Sequence, residues 1–269
     1  MPQNLFSPLE NPLDDLPQTT LRWLGGWWRI IHFGAQLLVL TLTPSSYQRE
    51  HRGTMARHFY VDTAPVLPWF TVLSALISLV IIRIVLVTSV SYGLSQYALE
   101  MVVRVLVLEL IPLAAAVFSA LRCTIPNAAD LVLLRSRGGF DRIRAAGADP
   151  LAVEVLPRVG ASVLATLMLV AVSCVVTLVL CYFSVYGFIA GGFDNYTHTV
   201  GRIFEPQLAL IFCLKAFFLS VAVALLPIAS VLYDGPRVRT RTGAEVQSLL
   251  RVFSMILVIE AASLVGNYA

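Results

Sequence analysis

Among the ionisable side chains that fall inside stretches of sequence otherwise apolar, six stand out: Arg83, Glu100, Arg104, Glu109, Lys215 and Glu260. In hydrocarbon a charged side chain costs about 2.5–3.5 kcal/mol on insertion scales, so such residues face protein or water and take partners. Three of the six are basic and three acidic, and two kinds of chemistry are open to them. One is a set of interhelical ion pairs. The other is the wall of a cavity where the polar headgroup of a lipid is held. An Arg83–Glu109 pair would serve both, because the two fall at similar depth once the first two apolar stretches fold into a hairpin centred near Leu94. No enzyme motif accompanies the set: neither an H-E-x-x-H pair nor a nucleophile elbow occurs, and His32, His51, His58 and His198 are scattered. A G-x-x-x-x-G-K-[ST] phosphate loop is also missing, so no cofactor is expected here and any ATP must be bound by another subunit.

A second set of charges has a different character. Between Arg122 and Asp149 lie five arginines and three aspartates. Inside that segment, Phe140-Asp141-Arg142-Ile143-Arg144-Ala145-Ala146-Gly147 places apolar residues at 140, 143 and 146 with charges between. The pattern predicts a short amphipathic helix, started after Gly138-Gly139 and ended by Gly147 and Pro150. Two turns cannot cross a bilayer. Such a helix docks its apolar face on a membrane surface or in a partner's groove, unless it is simply a solvated loop helix.

The elements that position these charges follow from composition and run length. Hydrophobic residues make up 58% of the chain and charged residues 13%, against about 25% charged in soluble domains. An all-α integral membrane protein is the expected fold class. Residues 1–18 read as a solvated tail, with acidic residues and prolines and no basic region leading into an apolar core, so not as a signal peptide. Leu21 to Leu42 is broken by Arg22, Arg29 and His32 and carries Trp23, Trp27 and Trp28; it reads as an interfacial elbow helix. With a polar connection it fills residues 19–64, and a five-span domain fills 65–269. The expected spans are Val66–Ser89, Ala98–Leu121, about Gly160–Ala190, Pro206–Tyr233 kinked at Pro227, and Val246–Val265. Segment 122–158 joins spans two and three, and the polar stretch Gly191–Glu205 reads as a loop between spans three and four.

Orientation follows from the basic residues of the short connections. The elbow region, segment 122–158 and the 237–241 loop hold nearly all the loop arginines, which places them and the amino end inside and the carboxyl end outside. Eighteen of the nineteen basic residues are Arg. Cys123, Cys174, Cys181 and Cys213 show no CxxC spacing and read as packing residues rather than as a metal or disulfide framework.

The fifty residues from Glu109 to Arg158 resemble the MlaE/YrbE-type permeases of ABC transporters that move lipids across the bacterial envelope. That family carries R-E-L-G-P in its second span, an Arg thirteen residues after the Glu, and V-D-P twenty-seven residues after that Arg. A Pro-Arg follows eight residues beyond the Asp. Here Glu109-Leu110, Pro112, Arg122, Asp149-Pro150 and Pro157-Arg158 stand at those spacings. Leu108 replaces the family's Arg, Ile111 its Gly, and Arg137-Gly138-Gly139 its T-E-Q, while Asp141 keeps the position of the following Asp.

The resemblance implies a permease subunit in the bacterial inner membrane that forms a homo- or heterodimer and binds a separate ABC ATPase. It also implies a lipid cavity presented to a periplasmic MCE-domain protein, with no role for nucleic acid. It assigns the ATPase contact to Arg137, Phe140, Asp141, Ile143, Arg144, Asp149 and Pro150, and the lipid cavity to Glu109 and Pro112 together with the other intramembrane charges. Two other functions fit the composition: an ion-coupled secondary transporter using the buried charges as a relay, and a structural membrane subunit without a lipid path.

Overall fold

The computed structural model describes residues 32–35, 60, 64–94, 97–188, 190–233 and 241–268. The amino-terminal tail, most of the expected elbow helix and its connection, and residues 237–240 of the basic loop lie outside them; of the elbow, residues 32–35 are helical. The described chain is helical with five elements long and apolar enough to cross a membrane. These are α1 (Val66–Ser91), α2 (Ala98–Ser136), α4 (Leu151–Tyr186), α6 (Pro206–Tyr233) and α7 (Arg241–Tyr268). Two short helices join them: α3 (Gly139–Ala145) between α2 and α4, and α5 (Phe193–Ile203) between α4 and α6.

Much of the exposed surface of these helices is apolar, which suits elements in contact with lipid. Helix α1 shows this most plainly, exposing Trp69, Val72, Leu76, Val80, Ile84 and Val87 along one side. Since lipid tails are as apolar as leucine, packing and interhelical hydrogen bonds hold such a bundle together. Helix α6 is central and packs on α2, α4 and α7, while α1 flanks α4 and α2 touches all the other spans. Ser78 of α1 bonds Thr177 of α4 at 2.9 Å, and Ser119 of α2 bonds Thr166 of α4 at 2.6 Å. Each such bond contributes about 0.6 kcal/mol, so close packing of Ala115, Ala116, Ala161, Ala165 and Ala224 carries most of the cohesion.

Two expectations about the spans are corrected. Helix α2 does not leave the helical path at Arg122 but runs on to Ser136. Pro126 sits at the first turn of the continuing helix after a π-helical stretch, Ala120–Thr124, where a missing N–H is tolerated. Helix α4 likewise begins at Leu151, through a π turn, rather than near Gly160. The expected loop 191–205 is mostly helix α5. Its apolar residues Phe193, Tyr196, Val200 and Ile203 fall on one side at spacings of three and four. Tyr196 and Ile203 are buried, and Tyr196 Oη donates to the Leu178 carbonyl at 2.7 Å. Burial pushes the ionisation of that phenol well above its usual range.

The prolines and the π turns are linked. Among the described residues the three π-helical stretches end at Leu110, Thr124 and Val155, each two residues ahead of a proline: Pro112, Pro126 and Pro157. A proline gives no N–H to the preceding turn and crowds its carbonyl. Widening that turn to the i→i+5 pattern relieves the crowding.

A buried charge cluster and an exposed handle

Lys215, about a third of the way along α6, is almost wholly enclosed, with 1% of its side chain exposed. Its Nζ donates to Glu109 Oε2 of α2, to Glu260 Oε1 of α7 at 2.8 Å, and to the Leu108 carbonyl at 3.2 Å. Three spans are thereby tied at one point. An isolated charge here would carry a desolvation cost of several kcal/mol, which the opposite charges offset. The expectation of interhelical ion pairs holds for Glu109, Lys215 and Glu260, although the expected partner was wrong. Arg83 is exposed on α1 and takes no part in the cluster. Arg104 pairs with Glu100 one turn away at 3.0 Å, both side chains about 40% exposed.

The carbonyl that receives Lys215 is left without a donor from residue 112 because that residue is proline. Within the π stretch Val103–Leu110, the Ile111 N–H reaches back to Leu106. Residue 112 would next have donated to Val107 in the π pattern or to Leu108 in the α pattern, and proline donates to neither. Both carbonyls take side-chain donors from other helices instead: Cys174 Sγ of α4 lies 3.9 Å from the Val107 oxygen, and Lys215 takes Leu108. A polar backbone group in hydrocarbon must be satisfied from within the protein, and here that need helps to position the lysine.

The handle is built differently. Helix α3 is entered through Gly138 and left through Gly147, both with positive φ (71° and 79°), a conformation that favours glycine. Gly139 packs so closely that a Cβ would lie 2.8 Å from Leu134, which fits the departure to Gly138-Gly139 noted in the sequence. Phe140 is buried with Phe33, Leu131 and Val155, and Ile143 is half-buried. Arg137, Asp141, Arg144 and Asp149 are exposed, and Pro150 is buried. Asp149 Oδ1 accepts the Leu151 N–H at 3.1 Å, capping α4. Arg144 and Asp141 approach only to 3.8 Å. Behind α3 a cavity of about 480 Å³ is lined by Phe33, Arg135, Phe140, Arg144, Asp149 and Leu232 among others.

The structure therefore brings Glu109, Lys215, Glu260 and Pro112 into one site and Phe140, Asp141, Arg144, Asp149 and Pro150 into another, leaving Arg83, Glu100 and Arg104 outside both. Among the described residues no group of three or more His, Cys, Asp or Glu side chains is placed to hold a metal ion. Cys123, Cys174, Cys181 and Cys213 are free thiols, and all but Cys213 are buried. A family model described as Permease MlaE matches residues 55–265. The chain belongs to the MlaE permease family. Its members are ABC-transporter permeases associated with lipid transport. No curated protein matches the sequence.

Two features of this MlaE permease were missed in the sequence. Helix α5 was hidden by Gly191-Gly192 and Asp194-Asn195, which signal a turn. The Lys215 cluster had an available signal: Lys215 is the single lysine in a chain that otherwise uses arginine. A compact ammonium fits between two carboxylates and a carbonyl where a planar guanidinium does not.

Proposed function

We propose that this chain is the membrane permease subunit of an ABC transporter that moves a phospholipid or related lipid, its spans forming the path and a separate ATPase supplying the energy. The observation that carries the reading is the Glu109–Lys215–Glu260 cluster. It is a polar site tied across three spans, inside a bundle whose family is one of lipid permeases. In this reading the cluster and Pro112 belong to the wall of the lipid path. Arg137, Phe140, Asp141, Ile143, Arg144, Asp149 and Pro150 form the ATPase contact, α3 presenting its exposed charges while Phe140 fixes it to the bundle. The handle end faces the cytoplasm, α5 and the carboxyl end face the periplasm, and an MCE-domain protein takes up or delivers the lipid there. A second permease copy completes the path, and the subunit itself performs no hydrolysis.

The test is lipid-stimulated ATP turnover of the reconstituted complex carrying Glu109→Ala or Asp141→Ala. The first is expected to lower lipid stimulation and the second to uncouple the ATPase from lipid. Unchanged lipid-dependent turnover in both removes the site assignments. Transfer that follows a proton or sodium gradient and ignores ATP would favour an ion-coupled carrier built on the same carboxylates.

A further inference from the structure

Of the three intramembrane charges outside both sites, Glu100 and Arg104 pair with each other, whereas Arg83 has no partner among the described residues. It stands on the lipid side of α1. Leu76, Val80, Val87 and Val90 share its face at spacings of three, four and seven residues, and all are exposed. A charge on such a face costs about 2.5–3.5 kcal/mol unless something outside the chain meets it. Helix α1 has 26 residues, about 39 Å at 1.5 Å per residue, against a hydrocarbon core of about 30 Å. With α1 centred on that core, Arg83 lies about 7 Å past the midpoint and about 8 Å short of the nearer headgroup boundary. Snorkelling relieves it only in part. A helical side chain leaves its Cα tilted toward the helix amino end, which for α1 is away from that boundary.

Two kinds of anion are available to meet it: a carboxylate of a second copy of the chain, or a phosphate of the bilayer. In the half of the bundle that contains Arg83, the carboxylates carried by the described spans are Glu100, Glu109 and Glu260. Each already has a cation, Arg104 or Lys215. Asp194 and Glu205 lie in the connection beyond the ends of the spans. A second copy therefore brings no free carboxylate to that depth. A phosphodiester suits the position, because two of its oxygens accept the parallel N–H groups of a guanidinium. The acyl chains below it then run toward the bilayer centre over the exposed Leu76, Leu79 and Val80. We propose that Arg83 binds the phosphate of a phospholipid on the exposed face of α1, drawing it below the headgroup level. The site reads the phosphate and not the alcohol beyond it. It requires only that α1 faces lipid, so it stands apart from the transport reading.

The test uses the full-length chain in a detergent without phosphate, titrated with phosphatidylcholine and followed by native mass spectrometry. Arg83→Leu is expected to bind the phospholipid roughly tenfold more weakly than the parent, the scale of a charge-assisted hydrogen bond. Arg83→Lys keeps the charge without the fork and should fall between the two. Diacylglycerol with the same acyl chains should bind the parent and Arg83→Leu alike, and more weakly than phosphatidylcholine binds the parent. An excess of inorganic phosphate should not displace the lipid. Equal phosphatidylcholine affinity in the parent and Arg83→Leu overturns the proposal, as does diacylglycerol binding the parent as tightly. Displacement by inorganic phosphate also overturns it, because the guanidinium would then lie in water. So does an Arg83→Leu chain that keeps its lipid and loses a dimer seen in the parent, since a second copy would then cover Arg83. If Arg83→Leu does not fold, Arg83→Lys and the diacylglycerol comparison decide alone.

Discussion

The charge cluster and the handle hold similar residues under opposite rules. At Lys215 every donor is engaged by α2 or α7, and the side chain is nearly sealed. On α3 the Asp141 and Arg144 side chains are 82% and 69% exposed and scarcely touch each other. In hydrocarbon a charge must be satisfied within the protein, whereas at a wet surface water satisfies it at little cost. Charges in the cluster are thus committed to structure, and those on the handle remain free to meet another protein. The handle instead takes its position from a single buried aromatic, Phe140.

Breaking the cluster should have the largest effect. Lys215→Met leaves two carboxylates facing each other in a closed site, and removing one partner of a buried ion pair costs about 3–5 kcal/mol. The expected outcome is a large fall in the melting temperature of the purified chain, or loss of the folded protein. Adding Glu109→Gln and Glu260→Gln to Lys215→Met should recover most of the melting temperature, because uncharged replacement of a buried ion cluster is often close to neutral. A triple variant as unstable as the single one would mean that the lysine stem, and not the charge balance, holds the three helices. On the handle, Phe140→Ala should cost about 3 kcal/mol of local stability, at the low end for a buried Phe. The loss should show as faster proteolysis around Gly147 with little change in the melting of the spans. Equal damage to both would show that α3 is part of the bundle core.

The two regions were also unequally legible in the sequence. The handle was foreseen nearly to the residue, because Gly138, Gly147 and the period of Phe140 and Ile143 are local signals. Helix α6 was foreseen at both ends, since a run of apolar residues after Pro206 needs only length to be read as a span. The cluster's members were all named as intramembrane charges, yet their pairing was not foreseen. Depth along a span can be counted in residues, but the direction a side chain faces around the helix depends on which spans are neighbours. Arg83 matched Glu109 in depth and was preferred. Lys215, 106 residues away, stands on the helix that α2 packs against. The continuation of α2 past Arg122 was hidden because the charges that begin there end the apolar run, and a helix can run on in water after its apolar run has ended.

Pro112→Ala sharpens the comparison at intermediate scale. It supplies an N–H that competes with Lys215 for the Leu108 carbonyl, so the ammonium loses one of three acceptors. A hydrogen bond to a charged group contributes about 1.5–3 kcal/mol, and part of that returns as a regained helical bond. The expected result is a modest drop in melting temperature with a larger drop in lipid-stimulated turnover. The same drop in turnover in a Cys174→Ala chain would place the sensitivity in α2–α4 packing rather than at the lysine.

The smallest effect on stability is expected at the handle's surface, and there the comparison is most exposed to failure. Asp141→Ala and Arg144→Ala remove side chains that are mostly in water, joined at 3.8 Å, and an exposed pair of that kind contributes at most about 1 kcal/mol. Melting temperature and proteolysis should therefore match the parent chain for each single variant and for the double. If these charges serve a partner, the same variants should weaken co-purification of the ATPase subunit in a salt-dependent way, since solvent-exposed contacts are screened as ionic strength rises. Charge reversal at both positions, Asp141→Arg with Arg144→Asp, tests whether the partner reads each charge in its place. Binding that survives the swap would mean that α3 is recognised by its shape and by the cavity behind it. Binding lost in the swap while the fold stays intact would show that the exposed charges are read one by one by another protein.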